Sequence, residues 1–413
     1  MGNRNPTHRV ELLAPAGNIE KLEIVLHYGA DAVYLAGKEF SLRNFAENFG
    51  LDEMRTAIRM SHAAQAKAYV AVNIFARNQD LAPIESYLHH LAELCPDAII
   101  VADPAVVQMT REVAPGIPIH LSTQANTTNA AAARFWHSQG VQRINAAREL
   151  SLSEIAEIAG SCPVAVEAFV HGAMCISYSG RCLLSNFMAQ RPSNQGMCCQ
   201  PCRFRYAVVE ETRPGQYFPV AEDGAGSYLF NSRDLCMLAH LPAMIESGIH
   251  TLKIEGRMKS IHYAATSVKI YREAIDHYYA APEEFAPASH WQTELDKITS
   301  RGYCTGFYLG DANQTVPSYD APLAGAYPLA AKVLAPAGMN KAHVQVRNQI
   351  RQGDAIEIVH RKGPPVPDKV QNIIDDHGDV VPLAQPGSHV TLRLSHDCSR
   401  LDLLRRRPSI ESA

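Results

Sequence analysis

Through the first 260 residues, short apolar runs of strand length alternate with stretches of helical period. The runs fall at Val10–Leu13, Ala32–Leu35, Ala68–Ile74, Ala98–Val101, Ile117–Leu121, Val141–Asn145, Val164–Val170 and Leu252–Ile254. Between the third and fourth, Ile84, Tyr87, Leu88, Leu91 and Leu94 share one face of a predicted helix. After the eighth, Val268, Tyr271, Ala274, Ile275 and Tyr278 do the same. Eight strands alternating with helices predict an α/β fold, a (β/α)8 TIM-like barrel. A doubly wound open sheet also satisfies the alternation, and the count of eight favours the barrel.

The seventh unit is irregular. Between Val170 and a helix predicted to begin near Asp234 lies a Cys-rich insertion, residues 172–235, whose second half has the glycine-turn texture of a β-hairpin. The barrel domain with this insertion spans residues 1–322. From Tyr327 the texture changes to short strands separated by Gly, Asp, Asn and Pro, as in AHVQVRN, DAIEIVHRKG and SHVTLRLS. This predicts a small, mostly antiparallel all-β barrel over 327–405, followed by a frayed tail, 406–413.

Charge and composition narrow the function. A net charge of -4 argues against a globally basic binder of DNA or RNA, although a local basic patch is compatible with it. No run of 18 apolar residues is free of charge, and the N-terminal MGNRNPTHRVELLAPAG lacks the apolar core of a secretory signal. The expectation is a cytoplasmic protein without a membrane span. In a reducing compartment, clustered cysteines bind metal or carry redox chemistry more often than they form disulfides.

A (β/α)8 barrel carries its active site at the C-terminal ends of its strands. Those positions hold Asn73, Asp103, Gln124, Asn126, Arg148, Glu149, Glu167, His171, Lys253, Glu255 and Arg257. The alternating charges of LKIEGRMKS are unfavourable on a buried face unless they are paired or line a cavity. An ion-pair network at the barrel rim would account for them equally.

Six of the ten cysteines, Cys175, Cys182, Cys198, Cys199, Cys202 and Cys236, lie close together in the chain. Only Cys199-Gln-Pro-Cys202 has the short spacing of a zinc knuckle, whereas iron–sulfur clusters accept more scattered thiolates. A 4Fe-4S cluster, zinc, and free or redox thiols all stay open on spacing alone. Cys95, Cys162, Cys304 and Cys398 are isolated and read as structural.

Residues 172–209 contain Arg181, Arg191, Arg203 and Arg205 but no Asp or Glu, and Tyr178, Phe187, Phe204 and Tyr206 are interleaved. Arginines contact phosphates and aromatics stack on splayed RNA bases. A solvated loop would carry the same residues. There is no H-E-x-x-H, G-x-S-x-G, Walker or G-x-G-x-x-G motif, and a His171–Cys175 dyad lacks an orienting third group.

The stretches HGAMCISYSGRCLLSNF, NQGMCCQPCRFRY, FNSRDLCML and LKIEGRMKS resemble signatures of the collagenase-like peptidase family U32. ELLAPAGN, GADAVYLAG and HLSTQANTTN also match its barrel half, and the likeness extends over essentially the whole chain. Within the family, the chain is most similar to the branch that hydroxylates the wobble uridine of tRNA. That resemblance implies formation of 5-hydroxyuridine, dependence on prephenate, and a 4Fe-4S cluster on Cys175, Cys182, Cys198 and Cys236. Cys202 is the alternative ligand or a redox thiol. It further implies tRNA as partner, with Arg181, Arg203 and Arg205 as RNA contacts.

On the same basis Arg148, Lys253, Arg257, Gln124 and Asn73 are candidate substrate-binding groups, and Glu167, His171 and Glu255 candidate acid–base groups. Other branches imply hydroxylation of 23S rRNA or a ubiquinone precursor, peptidase activity, or a role as non-catalytic partner of a paralogue.

Overall fold

The computed structural model describes residues 9–42, 46–175, 177–202, 233–310 and 327–408, and the backbone alone at 203, 207–209 and 217–219. Along the chain run β1 (Glu11–Pro15), α1 (Ile19–His27), β2 (Ala32–Ala36), α2 (Leu51–Ala63), β3 (Lys67–Val72), α3 (Asn78–Leu94) and β4 (Ala98–Val101). There follow α4 (Pro104–Val113), β5 (Ile119–Leu121), α5 (Ala130–Ser138), β6 (Val141–Asn145), α6 (Leu152–Ser161) and the long β7 (Ala165–Ala173). The insertion carries α7 (Leu184–Ala189) and the antiparallel pair β8 (Ala207–Val209) and β9 (Tyr217–Pro219). Then come β10 (Asp234–Cys236), α8 (Leu241–Glu246), β11 (Thr251–Ile254), α9 (Ile261–Ala280), α10 (Ser289–Asp296) and β12 (Tyr303–Cys304).

Strands β1 to β7 pair in parallel with their sequence neighbours, and β11 closes the ring by pairing with both β1 and β7. This is the predicted eight-stranded barrel. Its helices begin where side chains satisfy the unpaired N–H groups of the first turn. Asn18 accepts from Lys21 N, and Ser151 and Glu154 form a reciprocal capping box. The outward strand residues and inward helix faces make the main core, which includes Ile84, Leu88 and Leu91 of α3 and Val268, Ala274 and Ile275 of α9.

The barrel's interior is divided. On β1 to β4 it is largely apolar, with Leu13, Ala32, Ala36, Ala71, Ala98 and Ile100. On β5, β6, β7 and β11 it is polar, with buried His120, Asn145, Glu167 and Lys253 and the enclosed Arg143. Only paired charges tolerate such a place, and these are paired.

One boundary differs from the sequence reading. The helix predicted to begin near Asp234 starts only at Leu241, as α8, and the strand β10 precedes it, pairing antiparallel with the extended end of β7, Asp234 opposite Ala173 and Cys236 opposite His171. The extra length of β7 offers free backbone groups there, and ladder hydrogen bonds satisfy them better than a helix could.

The second unit contains β13 (Leu329–Pro336), β14 (Lys341–Val346), β15 (Ile350–Arg351), β16 (Ala355–Val359), β17 (Val366–Lys369), β18 (Asn372–Ile374), β19 (Val380–Val381), β20 (Leu383–Ala384), β21 (His389–Arg393) and β22 (Leu403–Arg406). Eight of these strands form an antiparallel half-barrel around Val333, Val344, Ile358, Leu392 and Leu404. Strand β22 takes in Arg406, the first residue of the expected tail, because Arg406 pairs with Ile356.

The two units are joined by buried charge. Arg405 has no exposed surface and donates to both oxygens of Glu294 on α10, at 2.8 and 2.6 Å, and to Glu357 on β16 at 2.7 Å. Lys297 completes the group, 3.0 Å from Glu357. Tyr28, which follows α1, donates to Val359 O at 2.7 Å. Truncating one member of a buried ionic group strands its partners, which costs about 3–5 kcal/mol. Arg405→Ala is therefore expected to lower unfolding stability by about that amount in denaturant titration, whereas Arg9→Ala, at an exposed ion pair, changes it by less than about 0.5 kcal/mol.

The same joint is acid-sensitive. Burial alone would raise the Glu357 and Asp402 carboxyls, but Arg405 and Lys297 for the first, and His27, His360 and Ser399 N for the second, hold both below their ordinary values. Carboxylates depressed in the folded state stabilise it above their unfolded pKa, and that stability is lost as pH falls through the folded value. Thermal unfolding followed against pH is expected to show stability falling below about pH 4.

Candidate active site at the barrel mouth

A cavity of about 590 Å³ of atom-free space, part of it open to solvent, lies at the C-terminal ends of the strands. Of the candidates from sequence, Asn73, Gln124, Arg148, Lys253, Glu255 and Arg257 all line it. Tyr34, Ser122, Thr123, Asn145 and Phe169 line it too and were missed; Tyr34, Asn145 and Phe169 lie within strands, where only the barrel's register decides which side chains face inward.

Glu167 lies just beneath the lining. It accepts hydrogen bonds from Lys253 Nζ at 2.7 Å and Asn145 Nδ2 at 2.9 Å, with Arg143 3.8 Å away. Lys253 Nζ also stands 4.5 Å from the centre of the Tyr34 ring, a cation–π contact. Deeper still, Glu11 accepts from Arg143 at 2.7 Å and from Tyr69 Oη at 2.8 Å. Burial would raise the Glu11 carboxyl, yet Arg143, Tyr69 and Lys67 together hold it below its ordinary value. Burial, reinforced by Arg143 and Lys253, keeps His120 neutral. The floor is a set of locked ion pairs, and it fixes the position of Lys253.

At the rim, Arg257 donates to Ser41 Oγ at 3.0 Å, and Asn73 bridges Leu42 N and Ser122 Oγ. The lining thus carries three cations, Arg148, Lys253 and Arg257, against the single carboxylate Glu255, with Glu167 balancing Lys253 from below. It suits an anionic ligand, and two arginines suit carboxylate or phosphate groups.

Other sequence candidates serve the scaffold. Asp103 caps α4 by accepting from Ala105 N and also takes Ala76 N. Glu149 accepts from Ser179 N and, at 3.0 Å, from Ser179 Oγ, and Asn126 donates to it at 3.4 Å. These contacts dock the insertion on the barrel.

His171 requires a correction. It does not reach the cavity. The pairing register with β11 shifts between Lys253 and Ile254, so His171 turns outward among Tyr263, Tyr271 and Tyr303, with ring centroids 5.4–5.7 Å apart. Burial, with Lys259 adding to it, pushes its pKa down to about 3, and neither ring nitrogen has a hydrogen-bond partner. It is a neutral packing group, and the His171–Cys175 dyad is not formed.

Every cysteine is free of disulfide. Cys175 lies at the mouth, where Arg148 donates to its Sγ at 2.9 Å. Ser193 Oγ donates to Cys182 O at 2.7 Å, and Cys199 Sγ is 3.3 Å from Ser185 Oγ. Cys236 sits on β10 with Sγ 3.7 Å from Tyr271 Oη, and burial pushes its thiol up. Among the described residues no three His, Cys, Asp or Glu side chains are grouped to hold a metal. By donor chemistry, the partly exposed thiols of Cys175, Cys182, Cys198, Cys202 and Cys236 all suit a thiolate-ligated group. Arg181 is exposed, while the side chains of Arg203 and Arg205 lie outside the described residues.

Residues 17–317 match the family described as peptidase family U32, and residues 326–405 match the C-terminal domain of that family. The chain is 40% identical over 394 residues to tRNA hydroxylation protein P1 of Bacillus subtilis (strain 168), covering 93% of this chain and 91% of that one. It is 28% identical over 362 residues to the 23S rRNA 5-hydroxycytidine C2501 synthase of Escherichia coli (strain K12), covering 86% of this chain and 53% of that one. It is 30% identical over 312 residues to a collagenase of Porphyromonas gingivalis (strain ATCC BAA-308 / W83), covering 73% of each.

At Gly180 the insertion packs tightly on the barrel. Its φ is +73°, and a Cβ there would fall 2.0 Å from Gln124 O. Neither the left-handed backbone nor the contact tolerates a side chain. Gly180→Ala is expected to undock the insertion, so that limited proteolysis within 172–235 speeds up while the far-ultraviolet circular dichroism of the barrel is retained.

Proposed function

The chain belongs to peptidase family U32, and on that premise we propose that it is an RNA-modifying enzyme that hydroxylates the wobble uridine of tRNA to 5-hydroxyuridine. The likeness along nearly the whole chain to a protein named for tRNA hydroxylation carries this reading. The cavity supports it: a polar, cation-lined site at the barrel mouth suits a splayed base or a small anionic metabolite.

Prephenate is the proposed co-substrate, with Arg148 and Arg257 holding its two carboxylates and Lys253 adding positive charge between them and the floor. Glu255 is the proposed acid–base group, since replacing hydrogen by hydroxyl at a pyrimidine carbon requires removal of a proton. Glu167, bonded to Lys253 and Asn145, is a positioning residue in this scheme. Gln124 and Asn73 would fix the orientation of the ligand through their amides. Arg181, Arg203 and Arg205 are proposed to hold RNA phosphates over the mouth.

A 4Fe-4S cluster is part of the proposal, with Cys175, Cys182 and Cys198 as ligands, Cys236 as the fourth and Cys202 as its alternative. Bound there, such a cluster would supply electron transfer to, or Lewis-acid activation of, an oxygen-donating co-substrate, which would bring the oxygen atom and take up the two electrons that hydroxylation removes. The hydrogen bond from Arg148 to Cys175 Sγ stabilises that sulfur as thiolate.

The experiment is nucleoside mass spectrometry of tRNA from cells lacking this gene and any paralogue, complemented with the wild type, Cys175→Ala or Arg257→Ala. Loss of 5-hydroxyuridine derivatives is expected, with restoration by wild type alone. Purified Cys175→Ala should also lack iron and acid-labile sulfide. Arg257→Ala should retain both while kcat/KM falls roughly 10- to 100-fold, the worth of a charged hydrogen bond. An unchanged nucleoside profile in the deletion strain removes the tRNA reading.

A further inference from the structure

We propose that the outer face of β14, β21 and β18 in the C-terminal half-barrel is a docking surface for the phosphates of an RNA stem. Its strands alternate cleanly: Ala342, Val344, Val346, Val390, Leu392 and Ile373 enter the half-barrel core, so the residues between them face outward. Cross-strand pairing sets these outward residues in rows. Lys341, Arg393 and Asn372 form one row, His343, Thr391 and Ile374 the next, and Gln345 and His389 a third.

The row of Lys341 and Arg393 is the informative one. Two cations stand directly opposite each other on neighbouring strands, an arrangement that destabilises a sheet. Among the described residues neither has an acidic partner, and no carboxylate lies within the three rows. At the edges, Asp397 accepts Asn340 N, and Asp375 accepts the N–H groups of His377 and Asp379. A like-charged pair that weakens the fold, set among amide, imidazole and hydroxyl donors, matches a polyanion with phosphates at regular intervals.

The face also runs toward the active site. Lys332 of β13 pairs with Gln345, and both Lys332 and Arg347 bond Glu20 in the first turn of α1. That turn borders the mouth, since Lys21 Nζ of α1 donates to Arg257 O at 3.2 Å. From Gln345 to Lys341 the strand advances ~13 Å away from this junction. The buried Arg405 group fixes the half-barrel to the barrel, so a stem held on the face would present its loop at a set distance from the cavity. This inference rests on the RNA reading above, because it supplies that substrate with a second point of attachment.

The test compares the wild type with Lys341→Gln/Arg393→Gln, measuring the binding of tRNA from the deletion strain by fluorescence anisotropy across a salt titration. The double variant is expected to bind roughly tenfold or more weakly near 0.1 M salt, with the slope of log K against log salt reduced by about 2. Modification should show a raised KM and an unchanged kcat. Melting temperature should stay level or rise, because the opposed charges are gone; a fall would mark the two residues as structural and overturn the proposal. Wild-type binding of tRNA with no change in the double variant would also overturn it while leaving the tRNA reading intact. Failure of the wild type to bind tRNA at all would instead remove the reading on which it rests. If the variant loses affinity for a polyglutamate peptide but not for tRNA, the face serves an acidic protein and the RNA assignment falls.

Discussion

The ion pair of Glu167 with Lys253, inside the barrel, is the constraint on which the rest of the site depends. A lysine ammonium in a barrel interior must be paired, and the carboxylate that pairs with it must itself be satisfied by Asn145 and approached by Arg143. Arg143 in turn needs Glu11, which needs Tyr69. The chain of obligations crosses the barrel from β11 through β7 and β6 to β1 and β3. It leaves little freedom in where the lysine head lies, and Arg148, Glu255 and Arg257 are arranged around it at the mouth. The cost of burying charge is met by geometry, and the same geometry preorganises a cationic cavity.

Two attachments adapt this barrel to a larger purpose. The Cys-rich insertion is held at its start by Glu149, Ser179 and the close approach of Gly180 to Gln124, all next to residues that line the cavity. The C-terminal half-barrel is held by Arg405 between Glu294 and Glu357. Both joints use buried or half-buried charge, which loses more when one partner is displaced than an apolar contact of similar area would. The two joints fix the start of the insertion and the half-barrel relative to one mouth.

The cysteines show how fold and chemistry interact. Cys175 shares the mouth with Arg148, whereas Cys236, on a strand added to the end of β7, lies against Tyr271 in the layer behind it. Residues that are equivalent as donors in the sequence meet different surroundings. The thiols of the insertion and of Cys236 are all partly exposed, but Cys236 packs against Tyr271 and burial pushes its thiol up.

The alternation of apolar runs and helical faces, with the change of texture near Tyr327, was enough to specify the barrel and the separate β unit. Local period reports which face is buried, and that largely decides the class of fold. Charged residues just after the strands, Arg148, Glu255 and Arg257, were legible as site candidates because topology places strand ends together. Tertiary structure alone decided the rest. The register shift beside Lys253 turned His171 away from the cavity, and the strand β10 moved the start of the helix predicted near Asp234 to Leu241. Asn145 and Tyr34 emerged as lining residues, and Lys341 met Arg393 across two strands. Each of these depends on which backbone groups and side chains become neighbours across long stretches of chain, and a period of two or of 3.6 residues carries no information about partners that distant.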